Sequence, residues 1–243
     1  MAITEYFVRY LQRRDRLSEA ELARLRAIRT EQYTAAPGEV IVAPQQKVSR
    51  SCMMLRGMTA RSHRLNGRTE QRVITALHVP GDFVDLHGFI LNGLAHSVVA
   101  VGQAEVEFIE HDELIEITQN FPHLTRLLWR ATLIDAAIHR QWLVAAASLR
   151  SSAHLAHLLC EIYTRLNVVG AAAEGQFSMP LLQRELADLL GYSPIHVNRA
   201  VRDLRDRGLV RWIGPDITIL DWHGLATLAR YDPAYLDLSR EET

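Results

Sequence analysis

The segment Phe177–Gly208, FSMPLLQRELADLLGYSPIHVNRAVRDLRDRG, is patterned as two short helices held by a tight turn. Ser178 is placed to N-cap the first, with Met179 and Pro180 in the opening turn, where a missing N–H costs least. Leu182, Leu186 and Leu189–Leu190 recur at helical spacing, and Gly191 supplies a left-handed stop. Ser193 then caps a second helix with Pro194 at its first position. Val197, Val201 and Leu204 form the inward stripe of that helix, and Ala187 is small where the two helices cross. Ser193, Ile195, His196, Asn198, Arg199 and Arg202 are left free to face a partner. This is a helix-turn-helix pattern, and a plain helical hairpin closing a globular domain is the alternative.

Neighbouring residues favour a nucleic-acid role. From the second helix through Arg211 the chain holds five Arg against two Asp, although its overall formal charge is only −1. Local positive excess is the footprint expected of phosphate contacts. Leu209–Ile213 and Ile217–Leu220 flank Gly214-Pro215-Asp216, as a β-hairpin wing would.

At 243 residues the chain has room for two modest domains. Its near-neutral charge excludes a wholly basic, histone-like binder. Two cysteines, Cys52 and Cys160, are too few for a disulfide framework or a four-thiolate metal site, and read as buried apolar residues. The N-terminus lacks a secretory pattern, and no apolar run approaches the roughly 20 residues that span a bilayer. A cytoplasmic location and no membrane partner are expected.

Residues 3–29 read as helical, with Ser18 and Glu21 forming a capping box. From Pro37-Gly38 to about Ile109 the chain breaks into short β-like pieces: Val40–Val42, Ser51–Leu55, Thr59–Leu65, Gln71–Leu77, Ser97–Val101 and Val106–Ile109. Asn66-Gly67 is the strongest hairpin signal. Such strands predict a small sandwich or barrel. Residues 80–97, PGDFVDLHGFILNGLAHS, interrupt the strands with a short helix expected around Phe83–Leu91. They read either as a corner loop plugged by Phe83, Leu86, Phe89 and Ile90 or as an anion pocket built on backbone amides.

Pro122–Leu149 reads as one long helix. Its stripe Leu127, Ala131, Ile134, Ile138, Trp142, Ala145 and Leu149 steps by 4, 3, 4, 4, 3 and 4, close to a coiled-coil seam. That seam pairs with a second copy or packs on its own barrel. Ser151-Ser152 is expected to break this helix and cap the next, which runs to about Val168. The expected division is a β-roll effector-type domain over 1–121, a dimerisation helix over 122–149 and a winged helix-turn-helix domain over 150–243, an α+β architecture.

That order resembles the Crp/Fnr superfamily of bacterial transcription regulators. The resemblance runs from about Ser18 to Leu236. It is most specific at Leu186-Ala187, Leu190-Gly191, Ser193, Val197, Asn198-Arg199 and Leu204 through Gly208-Leu209-Val210. It implies a homodimer that reads palindromic double-stranded DNA through the helix starting at Ser193, with RNA polymerase as a further partner. It also implies an effector pocket at Gly81, Asp82, His96, Ser97, His139 and Arg140. Asp82 stands where cyclic-AMP-binding members carry Glu, and His96-Ser97 where they carry Arg-Ser. His139-Arg140 replaces the Thr-Ser pair that meets adenine. These changes argue against cyclic AMP. With no cysteine before Cys52, an iron–sulfur cluster is not expected, and no Cys/His pair matches the haem-bound branch. Within the recognition helix Arg199 is kept, while Pro194 and Ile195 stand where base-reading Arg and Glu occur.

His154/His157 and Asp135/His139 sit at ligand spacing on helices, but no third metal ligand is identifiable, so no metal is expected and these histidines read as solvated. Two competing functions stay open: a β-roll ligand-binding module whose C-terminal domain docks protein, and an enzyme using the 80–97 loop. The second is the weaker, because no nucleophile, metal triad or phosphate-gripping loop accompanies Asp82, Asp85, His87 and His96.

Overall fold

The computed structural model describes residues 4–64, 72–91 and 93–238. The expected N-terminal helical stretch is two helices, α1 (Glu5–Gln12) and α2 (Glu19–Ala27). The capping box at α2 forms as read: Ser18 Oγ accepts from the Glu21 N–H at 3.3 Å, and the Glu21 carboxylate accepts from the Ser18 N–H at 2.7 Å.

Five antiparallel strands follow: β1 (Thr30–Ala35), β2 (Val40–Val42), β3 (Arg50–Arg64), β4 (Arg72–His78) and β5 (Ser97–Glu110). They run in the order β1-β5-β3-β4, with β2 also on β5. The pieces expected at Ser51–Leu55 and Thr59–Leu65 are one strand, bent by bulges around Gly57 (φ +75°). Ser97–Val101 and Val106–Ile109 likewise fuse across Gly102 (φ +64°). β1 escapes a reading by periodicity because four of its six residues are exposed and TEQYTA is largely polar. The Asn66-Gly67 turn lies outside the described residues. Among the described residues of the 80–97 loop only Leu86–Phe89 is helical, as a single 3₁₀ turn, and Ile90 points into solvent at 77% exposure instead of plugging the corner.

The second half is helical. α3 (His111–Asn120) precedes α4 (Pro122–Ser148) and α5 (Ser151–Val169). Leu149, not a serine, breaks the chain between α4 and α5: it is extended, and Arg150 occupies the N-cap without a side-chain bond. Then come β6 (Gln176–Ser178), α6 (Gln183–Leu190), α7 (Pro194–Asp206), β7 (Val210–Ile213), β8 (Asp216–Ile219) and α8 (Trp222–Ala229). A 3₁₀ turn at Pro233–Leu236 follows.

Two corrections bear on function. The first helix of the motif starts at Gln183, not after Ser178, because Phe177 and Ser178 pair with Ile217 and Asp216 as the third strand of the wing sheet β6-β8-β7. On α4 the expected seam faces inward. Leu127, Ile134, Ile138 and Ala145 are buried within their own chain, Ile134 and Ile138 against Leu236. The opposite face carries a second apolar set, Trp129, Leu133 and Leu143, exposed at 66%, 54% and 73%. With Ala136, Arg140 and Ala147 it steps by 4, 3, 4, 3 and 4. The largest core cluster joins β-sheet residues such as Met58 and Leu77 to α5 and the helix-turn-helix, so the two halves share one packed interior. No described helix is long and apolar enough to cross a membrane.

Candidate nucleic-acid interface

Three buried side chains, Val197, Ala200 and Leu204, anchor α7 on the core at no more than 1% exposure. Removing a side chain such as Leu204 to Ala would cost about 2–5 kcal/mol. At 100° per residue, burying that stripe turns Ile195, Arg199 and Arg202 together toward solvent. Ser193 caps the helix as read, its Oγ accepting from the His196 N–H at 3.4 Å, and it also meets His196 Nδ1 at 2.8 Å. Pro194 fills the first turn.

The six residues expected to face DNA are all exposed. Arg199 and Arg202 form no ion pair among the described residues, whereas Arg207 of the same segment is taken by Asp203 at 2.9 Å. Asn198 is held in a reciprocal amide pair with Gln183: Gln183 Nε2 donates at 2.6 Å and Asn198 Nδ2 donates back at 3.0 Å. Gln183 was missed by sequence reasoning because the first helix was started four residues early. Once α6 begins at Gln183, its side chain lies at the helix mouth, beside the exposed Arg184. The wing adds Arg211, which donates to Thr218 Oγ1 at 3.3 Å, and an exposed tip at Gly214-Pro215.

The helix-turn-helix is tied to the β-sheet. Arg72 of β4 reaches Asp188 at 2.9 Å and Glu185 at 3.3 Å, both on α6. Pro180 lies so close to Gly102 that a Cβ there would sit 2.9 Å from the Pro180 Cβ.

The residues expected to form an effector pocket do not converge. Asp82 is spent inside the protein, accepting from the Val79 N–H at 2.8 Å and from Arg165 of α5 at 2.5 Å. Burial pushes its pKa up, and Arg165 opposes that shift. Gly81 (φ +92°) is wedged between α1 and α5, where a Cβ would meet Tyr6 O and Val169 Cγ1 at 3.1 Å. Arg140 is exposed on the outer face of α4. His96, His139 and Ser97 remain on the sheet side, Ser97 pairing with Ser62 in the β3–β5 ladder. There the organising group is Arg61, which sequence reasoning passed over. Its guanidinium is buried and contacts His139 Nε2 at 2.7 Å and Asp135 at 3.2 Å. His63 and His87 flank His96 with ring centroids 5.5 and 5.4 Å away. Burial, then the charge of Arg61, holds the His96 pKa down to about 3, so the cluster is neutral imidazole around one guanidinium. Arg61, His63, His87 and His96 thus form one cluster with Asp135 and His139 of α4.

His154 and His157 are buried, not solvated. They pack edge-on against Tyr192 and Tyr231, and among the described residues no group of three or more side chains is arranged for a metal. Cys52 and Cys160 are buried as read, and burial raises both thiol pKa values.

Residues 153–228 match the Crp-like helix-turn-helix domain family. Transcriptional regulatory protein btr of Bordetella pertussis is 26% identical over 164 residues, covering 68% of this chain and 67% of that protein. The chain therefore spans about two thirds of that relative's length. FixK2 from Bradyrhizobium japonicum shares the fold at a TM-score of 0.72 and 20% identity, over 83% of this chain and 98% of its own. A CRP/FNR-family transcriptional regulator from Thermus thermophilus does so at 0.60 and 19%, over 83% and 99%. The fold is therefore Crp/Fnr-like: an N-terminal sheet domain, a long helix and a C-terminal helix-turn-helix.

Proposed function

We propose that this chain, with a Crp-like helix-turn-helix domain at residues 153–228 on a Crp/Fnr-like fold, is a transcription regulator that reads double-stranded DNA as a homodimer. The observation that carries the reading is the outer face of α7, where Ile195, Arg199 and Arg202 stand exposed and unpaired on a helix whose other side is locked into the core. Uncommitted arginines on a rigid, capped helix are what major-groove reading needs. Arg199 is the guanine reader through a bidentate contact, Ile195 meets a thymine methyl, and Asn198, paired with Gln183, reads adenine or phosphate. Ser193, His196 and Arg202 set the helix on the backbone.

The outer stripe of α4 supplies the pairing face. Trp129, Leu133 and Leu143 at coiled-coil spacing suit a parallel twin, which would place two α7 helices on half-sites about 34 Å apart. The domain division at about 121 and 149 follows from that role for α4. RNA polymerase contact would depend on where the operator lies. Cyclic AMP has no part in this scheme, because Arg61 and its imidazoles fill the sheet side of α4 and Asp82 is bound to Arg165.

Enrichment of bound sites from random DNA, followed by anisotropy at 50 and 200 mM salt, tests the reading. It expects a palindromic site and an affinity that falls steeply with salt. Weak, salt-insensitive binding would overturn it. Leu133→Asp should leave a monomer by sedimentation that no longer selects paired half-sites.

A further inference from the structure

One cavity borders the Arg61 cluster, sharing His87 and Asp135 with it, where α1, the loop after β4, α4, α5 and the 3₁₀ turn at Pro233–Leu236 meet. Its volume is about 40 Å³. At roughly 10–15 Å³ for each water-sized sphere, that is space for about three waters. Phe7, Phe83, Ile134, Ile138, Val169 and Leu236 give it apolar walls.

Its charged lining is unevenly matched. Asp82 is held by Arg165 at 2.5 Å, and Asp135 by Arg61 at 3.2 Å. Asp237, the nearest acid of the last turn, is taken by Arg130 at 2.5 Å. Arg14 also lines the cavity, is only 5% exposed, and makes no ion pair among the described residues. It stacks over the Tyr10 ring at 3.9 Å and donates to two backbone carbonyls, Tyr10 O at 2.8 Å and Leu236 O at 3.0 Å. Its Nε has no partner, and neither has Nε2 of His78, a second buried wall residue. A guanidinium stays charged in proteins; Asp82 and Asp237 act on this one at longer range, but neither closes an ion pair with it. A cavity with apolar walls and one permanent cation that has a bare Nε and no ion pair among the described residues is complementary to a small anion with an apolar end.

We propose that this junction cavity binds a short monocarboxylate of two to four carbons, its carboxylate on Arg14 and its alkyl end against Phe7, Phe83 and Ile134. The walls come from the sheet domain, the long helix and the segment after the winged helix, so occupancy couples to how the recognition helix is held. That coupling rests on the DNA-binding reading; the binding site itself does not.

The test uses the full chain with acetate, propionate and butyrate, against propionamide and chloride at matched ionic strength, read by calorimetry and thermal shift. Propionate should bind saturably at millimolar concentration or below and raise Tm, while propionamide does neither. Arg14→Gln should weaken binding at least tenfold. Ala131→Leu, which fills the cavity and leaves Arg14 in place, should abolish it and guards against a fold defect in the first variant. Equal effects of amide and carboxylate, or undiminished binding in Ala131→Leu, would overturn the site. A change in operator affinity with propionate supports the coupling, and an unchanged affinity removes it while leaving the site. Loss of all DNA binding with carboxylate binding intact would overturn the DNA reading alone.

Discussion

The outer face of α7 and the sheet side of α4 are both rich in basic side chains, and they treat them in opposite ways. On α7, Arg199 and Arg202 are exposed and meet no acid. Beside α4, Arg61 is buried and the Arg165 side chain is only 9% exposed, and each meets a carboxylate, Asp135 for one and Asp82 with Glu161 for the other. The first arrangement is costless in water and ready for an external anion. The second has already used its charges to hold the fold. Basic residues therefore mark a ligand surface only where the protein itself has left them unmatched.

The comparison can be broken most sharply at Arg165. Arg165→Met would strand Asp82 and the fully buried Glu161 without their cation, and stability should fall by about 3–5 kcal/mol in urea unfolding. Glu161 would keep only the Trp142 Nε1–H and Tyr235 O–H donors, at 3.0 and 2.8 Å. A loss below about 1 kcal/mol would show that these pairs are not what holds the two halves together. On α7 the effect should move from stability to recognition. Arg199→Ala should cost about 1–3 kcal/mol of discrimination at one base pair per half-site, with an unchanged urea midpoint. Equal losses on operator and random DNA would count against a base-reading role. Arg202→Ala should weaken both DNAs alike and reduce the salt slope by about one.

The smallest effect is in pH. The folded His96 pKa, about 3, lies below its ordinary value of 6.5, mainly through burial and then through Arg61. The unfolded chain takes up the proton first. The stabilising contribution is therefore complete above pH 6.5 and is lost as pH falls toward 3. His63, His87 and His139 are shifted in the same direction by burial. Urea midpoints should drop from pH 7.5 to pH 5, and His96→Phe should flatten that drop. An identical pH profile in the variant would place the acid sensitivity elsewhere.

How much of this was legible in the sequence depended on how local the cause was. The second helix was readable because its cap, its proline and its inward stripe lie within a dozen residues. The start of the first helix was not, since Ser178 looks like a cap until Asp216 pairs with it from 38 positions away. The seam of α4 was misplaced because the helix carries two apolar stripes at coiled-coil spacing. Which one turns inward is decided by Leu236, about a hundred residues further on. Asp82 shows the same long-range cause. Asp82 resembles a ligand contact in sequence, but Arg165, 83 residues away, claims it.

Arg9 donates to Val169 O at 3.2 Å, and Arg14 to Leu236 O at 3.0 Å. Helix α1 is thus seated by carbonyls of α5 and of the 3₁₀ turn at Pro233–Leu236. In synthesis order, α1 can bury Phe7, Val8 and Leu11 once residues up to Leu128 are made, while its two arginine contacts close only when α5 and the turn at Pro233–Leu236 arrive. A chain halted between those two points would hold a covered α1 whose Arg9 and Arg14 still lack the carbonyls of Val169 and Leu236.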